Sequence, residues 1–247
     1  MNFITGDKFK SIAEDFLDQS KPFLNLAKKP RIIFLFTDWV DAFKKQILPS
    51  IDYEFKLITH NADMGVYEKD LDLLNDRRLI RWFGMNCHIE HEKLTPIPIG
   101  MANEKWPHGD EKLLQKIIDL NLLKKNKIYC NFDISTSPIR QQILNQLKDQ
   151  KDIDFEFRRL NQEDYWKTLA SYKYVISPPG NGVDCHRIWE SLYLKTIPIC
   201  LDCVELKSFN LFKIKSFKNF QITTTETNFF NNCEIYDFDY WESIIKL

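Results

Sequence analysis

Residues 174–201, YVISPPGNGVDCHRIWESLYLKTIPICL, constrain the fold more than any other stretch of the chain. An apolar run (174–176) meets a Pro/Gly-rich turn (177–182). An amphipathic segment (184–195) then leads into a second apolar run (197–201). Strand, loop, helix, strand is the unit from which parallel α/β sheets are built. The turn gathers two of the chain's seven glycines and two of its ten prolines as Pro178, Pro179, Gly180, Asn181 and Gly182. Such a loop lies at the ligand edge of an open sheet, where backbone can approach a ligand and a helix N-terminus offers free N–H groups to an anion.

At about 100° per residue, Cys185, Ile188, Trp189 and Leu192 share one helix face, which predicts the buried side. His186, Arg187 and Glu190 fall together on the other side. There Arg187 can pair with an anion and Glu190 can accept from hydroxyls. A solvated polar face is the competing explanation.

SPPGNGVDCHRIWESLYLKTIPI resembles a segment of the exostosin-like glycosyltransferases, in which a Ser-Pro-x-Gly-x-Gly loop leads into a helix carrying Arg and Glu. The resemblance is dense over these residues and weaker elsewhere. It implies a GT-B fold, two Rossmann-like domains facing each other across a cleft, with this segment holding the donor nucleotide in the C-terminal domain. It also implies an inverting, metal-independent transfer of a sugar from a nucleotide-sugar, with UDP as the nucleotide, to a glycan or other hydroxyl acceptor. No cofactor is expected; the nucleotide-sugar is a co-substrate.

Composition sets bounds. The 247 residues give room for one large domain or two small ones, and 44% apolar with 14% aromatic residues can build a core. A net charge of −1 without a long basic run gives no reason to expect a nucleic-acid partner. Six cysteines lack the paired spacing of a zinc site; Cys200 and Cys203 alone approach it. Reduced thiols, a charged N-terminus and the lack of an apolar run of about 18 residues predict a soluble, cytoplasmic protein without a membrane span. Many eukaryotic members of the resembled family are membrane-anchored, and the departure from them implies a microbial or viral version.

Along the chain, the pattern predicts a helix over 8–17, strands at 31–36, 55–60, 79–83 and 94–99, and short helices at 40–48 and 67–74. A helix over 110–123 ends in a lysine run read as a solvated crossing between domains 1–123 and 124–247. The second series predicts strands at 127–132, 153–158, 174–177 and 197–201, with helices at 137–149, 162–171 and 184–195. Short strands at 213–217 and 220–224 and a helix at 240–246, which can pack back on the first domain, complete the chain.

Sugar transfer requires the diphosphate to be stabilised, the nucleoside to be gripped and the acceptor hydroxyl to lose its proton. Arg187 is the first candidate for the diphosphate. Arg140 is the second, one turn into a helix after Asn131 and Phe132; the family's Asn-Phe…Thr…Arg pattern opens its donor domain in the same way. By resemblance Glu190 holds the ribose hydroxyls. Ser177, Gly180, Asn181 and Gly182 line the phosphates or donor sugar together with His186 and Asn131. Asp184 opens the helix as its cap or as a further donor contact. The base is expected from the other domain. Asp63 follows a strand end, with His60 as the alternative because its ordinary pKa suits the role. His60 and Asn61 are expected on the acceptor side, although an Asx turn also explains Asn61 and Asp63. The segment 96–106 resembles the family's Pro-x-Gly-x-x-Asn-x-x-Trp run, which puts Gly100 and Asn103 at the cleft floor. Trp106 is read as a packed hinge aromatic, with stacking on a sugar ring as the alternative. Asp70/Asp72 and Asp237/Asp239 have Asp-x-Asp spacing but lie in or beside predicted helices, so no metal site is assigned. A non-catalytic module that keeps the nucleotide pocket and a DNA-modifying glucosyltransferase are the alternative functions.

Overall fold

The computed structural model describes residues 2–223, 229–230 and 234–247, and position 224 of the expected 220–224 strand lies outside them. The described residues form a mixed α/β structure with two five-stranded parallel sheets. The first sheet comprises β1 (Asp15–Leu17), β2 (Ile32–Phe36), β3 (Phe55–His60), β4 (Leu79–Gly84) and β5 (Leu94–Pro96), in that spatial order. Parallel crossovers are right-handed, so an order that never reverses places every connection on one face. Side chains confirm it. Ile33, Leu35, Leu57 and Trp82 bury against Val40, Phe43, Leu48, Leu73 and Leu74 from the connections.

The alternate residues, Phe34, Ile58 and Phe83, point to the opposite face and into a separate core. Helix α1 (Gly6–Ser11) covers that face through Phe9, whose ring meets Phe238 edge-on at 5.2 Å. Phe238 opens the last helix, Phe238–Lys246. Its backbone N–H donates to the Asn2 carbonyl at 2.8 Å, and at its far end the Ile245 carbonyl accepts from Lys56 on β3 at 2.9 Å. Both ends of the chain therefore lie on the first sheet.

The predicted helix over 8–17 is corrected to α1 followed by β1. Three residues are too few to show a strand period, and β1 exists because Asp15–Leu17 pair with Ile33–Leu35 from outside the local sequence. Between α1 and the second sheet, α2 (Val40–Ala42), α3 (Leu71–Leu74) and α4 (Glu111–Asp119) complete the first half.

The second sheet holds β6 (Lys125–Cys130), β7 (Ile153–Phe155), β8 (Tyr172–Ile176), β9 (Ile197–Leu201) and β10 (Phe212–Ile214), ordered β10-β9-β8-β6-β7. The chain steps from β6 to β7 on one side and returns to β8 on the other, so the direction reverses between β6 and β8. Ligands of open α/β sheets bind outside the carboxyl ends of strands at such a switch point. Helices α5 (Pro138–Leu147), α6 (Gln162–Ala170) and α7 (His186–Tyr193) connect these strands; the last helix is α8.

The lysine run at the start of β6 is not simply solvated. Lys124 donates to the carbonyls of Ala170, Tyr172 and Leu194 and to Thr196 Oγ1, at 2.8–3.2 Å, and so ties the N-terminal edge of the sheet together. The segment 213–217 contributes only its first residues to β10, and 220–223 carry no strand. No helix among the described residues is long and apolar enough to cross a membrane.

Candidate functional site

The carboxyl ends of β6 and β8 carry the loops 131–137 and 177–185, and Arg140 bridges them. Its Nε donates to the Pro179 carbonyl and its Nη1 to the Asp133 carbonyl, each at 2.8 Å, and the residue is buried. A Cβ at Gly180 would stand 3.0 Å from Arg140 Nη2, so glycine lets the loop close on the guanidinium. Asn131 has a similar framing role. Its amide donates to the carbonyls of Glu156 and Arg158, binding the loop after β6 to the loop after β7.

Arg187, in the first turn of α7, comes into the electrostatic reach of Arg140, Cys130 and Tyr165. Burial disfavours the charge on Arg140, and the Arg187 guanidinium depresses its pKa further. Burial works against Arg187 too, yet the Tyr165 hydroxyl, the Cys185 thiol and Glu190 hold its pKa above the ordinary value. Two guanidiniums thus converge at the switch point. Glu190 is buried beside Arg187 and Trp166; burial raises its pKa to about 7 against the pull of Arg187. Around this group, Arg187 Nε, the hydroxyls of Tyr165 and Tyr129 and the Trp166 indole nitrogen are buried without a hydrogen-bond partner among the described residues. Tyr165 leans on Arg187 and Trp166 on Glu190 as long, weak hydrogen-bonding neighbours. Arg187 Nε and the Tyr129 hydroxyl have no such neighbour among the described residues.

The helix face read as polar and ligand-facing is therefore split. Ile188, Trp189 and Leu192 are buried as expected, while Cys185 is the half-buried N-cap residue and makes no side-chain capping bond. Arg187 and Glu190 turn towards α6. His186 turns the other way, towards the first sheet.

Asp184 neither caps α7 nor opens onto a ligand. Its Oδ2 accepts from Ile99 N–H and its Oδ1 from Trp189 Nε1–H, both at 2.7 Å, and it is buried. Burial raises its pKa to about 7. Its own N–H donates to Asn86 Oδ1 at 2.9 Å, and a Cβ at Gly182 would come within 2.4 Å of Asn86 Nδ2. Asn86 sits at the end of β4 with φ 48°, so the Gly-Asn-Gly loop presses on the first half of the chain through Gly182. Ser177 is buried with its hydroxyl 3.6 Å from Cys185 Sγ.

A cavity of about 460 Å³ opens at the carboxyl edge of the first sheet, against the start of α7. It is lined by Asp38 after β2, by His60 at the end of β3 and Asn61 and Asp63 after it, by Asn103, Lys105, Trp106 and His108, and by His186. Asp63 is exposed, and its Oδ2 accepts from Asn181 Nδ2 at 3.1 Å, joining the two loops. Asn61 adopts φ 67°, a left-handed conformation uncommon outside glycine; its Oδ1 accepts from Asn103 Nδ2 at 2.9 Å. Gly100 is left-handed too, at φ 67°. A Cβ there would lie 2.2 Å from the Ile4 carbonyl oxygen, and its own carbonyl accepts from His186 Nδ1 at 2.7 Å.

His60 does not fit a base. Its Nδ1 accepts from Asn61 N–H at 2.8 Å, its Nε2 stands 3.2 Å from the Pro98 carbonyl, and burial lowers its pKa to about 4. The ordinary imidazole pKa on which that role rested does not hold here. Trp106 is not packed in a hinge: it is 52% exposed on the cavity wall. Among the described residues no cluster of His, Cys, Asp and Glu has the arrangement of a metal site. The paired aspartates serve locally, with Asp237 accepting from Asp239 N–H at the start of α8 and Asp70 from Tyr67 N–H.

Asp38, His108 and Tyr165 escaped the sequence reading. Asp38 was within reach of it, since it follows directly on an apolar strand, where ligand loops gather. His108 and Tyr165 carry no local signal. The sequence matches no protein-family model and no curated protein. The fold and site define an α/β protein with an arginine-bearing switch point and an adjacent polar cavity.

Proposed function

We propose that the protein is a glycosyltransferase of GT-B type, moving a sugar from a nucleotide-sugar donor to a hydroxyl acceptor with inversion at the anomeric carbon. The observation that carries this reading is the convergence of Arg140 and Arg187 at the switch point, with Arg187 Nε lacking a partner. A pair of guanidiniums, Arg140 buried and Arg187 half-buried, favours a polyvalent anion, and a diphosphate leaving group is one that gains charge as the reaction proceeds. Arg187 would be its principal ligand. Arg140, held by two carbonyls, would add charge while shaping the loops. Glu190 and the neighbouring hydroxyls would meet the nucleoside. The acceptor would enter the cavity under Trp106 and meet the donor where Asn181 touches Asp63, the carboxylate the sequence assigned as base.

The test is release of nucleoside diphosphate from a panel of nucleotide-sugars, with and without mixed glycan acceptors. The reading expects acceptor-stimulated release with one nucleotide, lost in Arg187→Ala. Absence of release with every donor from folded wild-type protein contradicts it.

A further inference from the structure

We infer that His186 is the group that takes the proton from the acceptor hydroxyl, with Asp63 beside it stabilising the imidazolium that forms. This rests on the transferase reading above and changes the assignment of the base.

The anchor of His186 sets its tautomer. A carbonyl oxygen only accepts, so the 2.7 Å contact between His186 Nδ1 and the Gly100 oxygen fixes the proton on Nδ1. Nε2 is then the lone-pair nitrogen of a neutral ring. It has no hydrogen-bond partner among the described residues, and the ring lines the 460 Å³ cavity. An imidazole anchored through Nδ1–H with Nε2 open to a cavity is arranged to accept a proton. The anchor is itself rigid: Gly100 holds a left-handed conformation against Ile4, and the Ile4 carbonyl accepts from Met101 N–H at 2.8 Å.

Asp63 is less suited to the role. One oxygen is engaged by Asn181, and the side chain is open to solvent. His60, the other cavity imidazole, has both nitrogens in use.

The groups facing His186 come from three segments. Burial lowers its pKa, the Gly100 carbonyl raises it, His108 from the 101–109 segment lowers it, and Asp63 raises it. Its ring centroid lies 6.1 Å from that of His108, which burial also keeps below the ordinary imidazole pKa. His60 is neutral at physiological pH. Lys105 and Asp38 complete the charged lining of the cavity. His186 is thus an uncharged base at neutral pH.

In the step itself, the acceptor oxygen forms a bond to the anomeric carbon as the bond from that carbon to the diphosphate oxygen breaks. The electron pair of the broken bond leaves on the diphosphate. The hydroxyl proton passes to Nε2, giving an imidazolium beside Asp63, and then goes to water.

The test combines His186→Asn, whose amide can still donate to Gly100, and His186→Ala assayed with and without added imidazole. We expect His186→Asn to lower kcat by roughly 10²–10⁴-fold while leaving nucleotide-induced thermal stabilisation intact, and imidazole to restore part of the His186→Ala activity. Wild-type activity should rise with pH through a midpoint below 6.5 and level off above it, and Asp63→Asn should move that midpoint lower. Imidazole nitrogen NMR on the wild-type protein, which does not depend on the variants folding, should show the Nδ1–H tautomer for His186 at pH 7.5. Activity within tenfold of wild type in His186→Asn, or an Nε2–H tautomer, overturns the inference. Wild-type protein that binds and turns over no nucleotide-sugar is a different outcome, which overturns the transferase reading and the inference with it.

Discussion

At the carboxyl edge of the second sheet, Asn131, Arg140 and Asp184 direct their hydrogen bonds at the protein's own backbone and at Trp189. At the edge of the first sheet, Asp38, Trp106 and one nitrogen of His186 face an open cavity. Both edges are rich in polar side chains that bond within the protein, but the first also leaves Asp38, Trp106 and His186 Nε2 facing the cavity. The difference follows from topology. The second sheet reverses at β6/β8, so two loops from opposite sides must be joined over the crevice, and Arg140 joins them. The first sheet runs in one direction, so its loops rise side by side and leave a gap that the start of α7 closes only partly. A motif rich in polar residues can therefore be mostly scaffold, with its chemistry concentrated in the atoms left without partners.

The largest expected effect lies at the switch point. Arg187→Ala should reduce kcat/KM by at least about 100-fold, since a charge aimed at a developing diphosphate contributes on the order of 3 kcal/mol to the transition state. Arg140→Ala should instead fail mainly in loop order, with a loss of stability visible in chemical denaturation. If Arg187→Ala left turnover unchanged and Arg140→Ala abolished it without loss of stability, the division between frame and chemistry would be reversed.

Asp184→Ala sharpens the framing side. It strips a buried acceptor from Ile99 N–H and Trp189 Nε1–H, and should cost about 2–5 kcal/mol, measured by urea unfolding. Trp106→Ala tests the open side. It should raise the acceptor KM roughly tenfold through lost stacking, with little change in melting temperature because the ring is half exposed.

A further expected effect is a slope of stability with pH. Asp184, like Glu190, has a folded pKa of about 7, above its value in an unfolded chain. The folded state then binds the proton more tightly, so this contribution is present at low pH and is lost as pH rises from about 4 to about 7. His60, with a folded pKa of about 4, acts in the opposite sense over about 4 to 6.5. The difference between wild type and Asp184→Asn, followed from pH 5 to 8, isolates the carboxyl term. Identical slopes would contradict the raised pKa.

How much of this was legible in the sequence depended on where each signal came from. The second sheet could be read because 174–176 and 197–201 are unbroken apolar runs punctuated by Pro and Gly. β1 could not, because its three residues become a strand only when β2 lies beside them. His186, Arg187 and Glu190 of α7 read as one polar face in the sequence, but their surroundings, which split that face, were not legible. The burial of Glu190 and Arg187 depends on Tyr165 and Trp166 arriving from α6, and the turn of His186 away from them depends on the Gly100 carbonyl. Asp184 looked like a cap because Asp before a helix usually is one. Its partners, Ile99 and Trp189, are set by packing between the two sheets. Lys124 looked solvated because four oxygens from two distant segments, 170–172 and 194–196, cannot be foreseen from a lysine run.

The central claim, that the arginine-bearing switch point holds a nucleoside diphosphate, is tested most directly by thermal unfolding against a panel of nucleotides and nucleotide-sugars in EDTA. A ligand at one hundred times its dissociation constant adds about 2.7 kcal/mol to stability. The account predicts a rise in melting temperature with one nucleoside diphosphate, present in wild type and His186→Asn and absent in Arg187→Ala. A folded wild-type protein that no nucleotide stabilises, or a shift that survives Arg187→Ala, would contradict it.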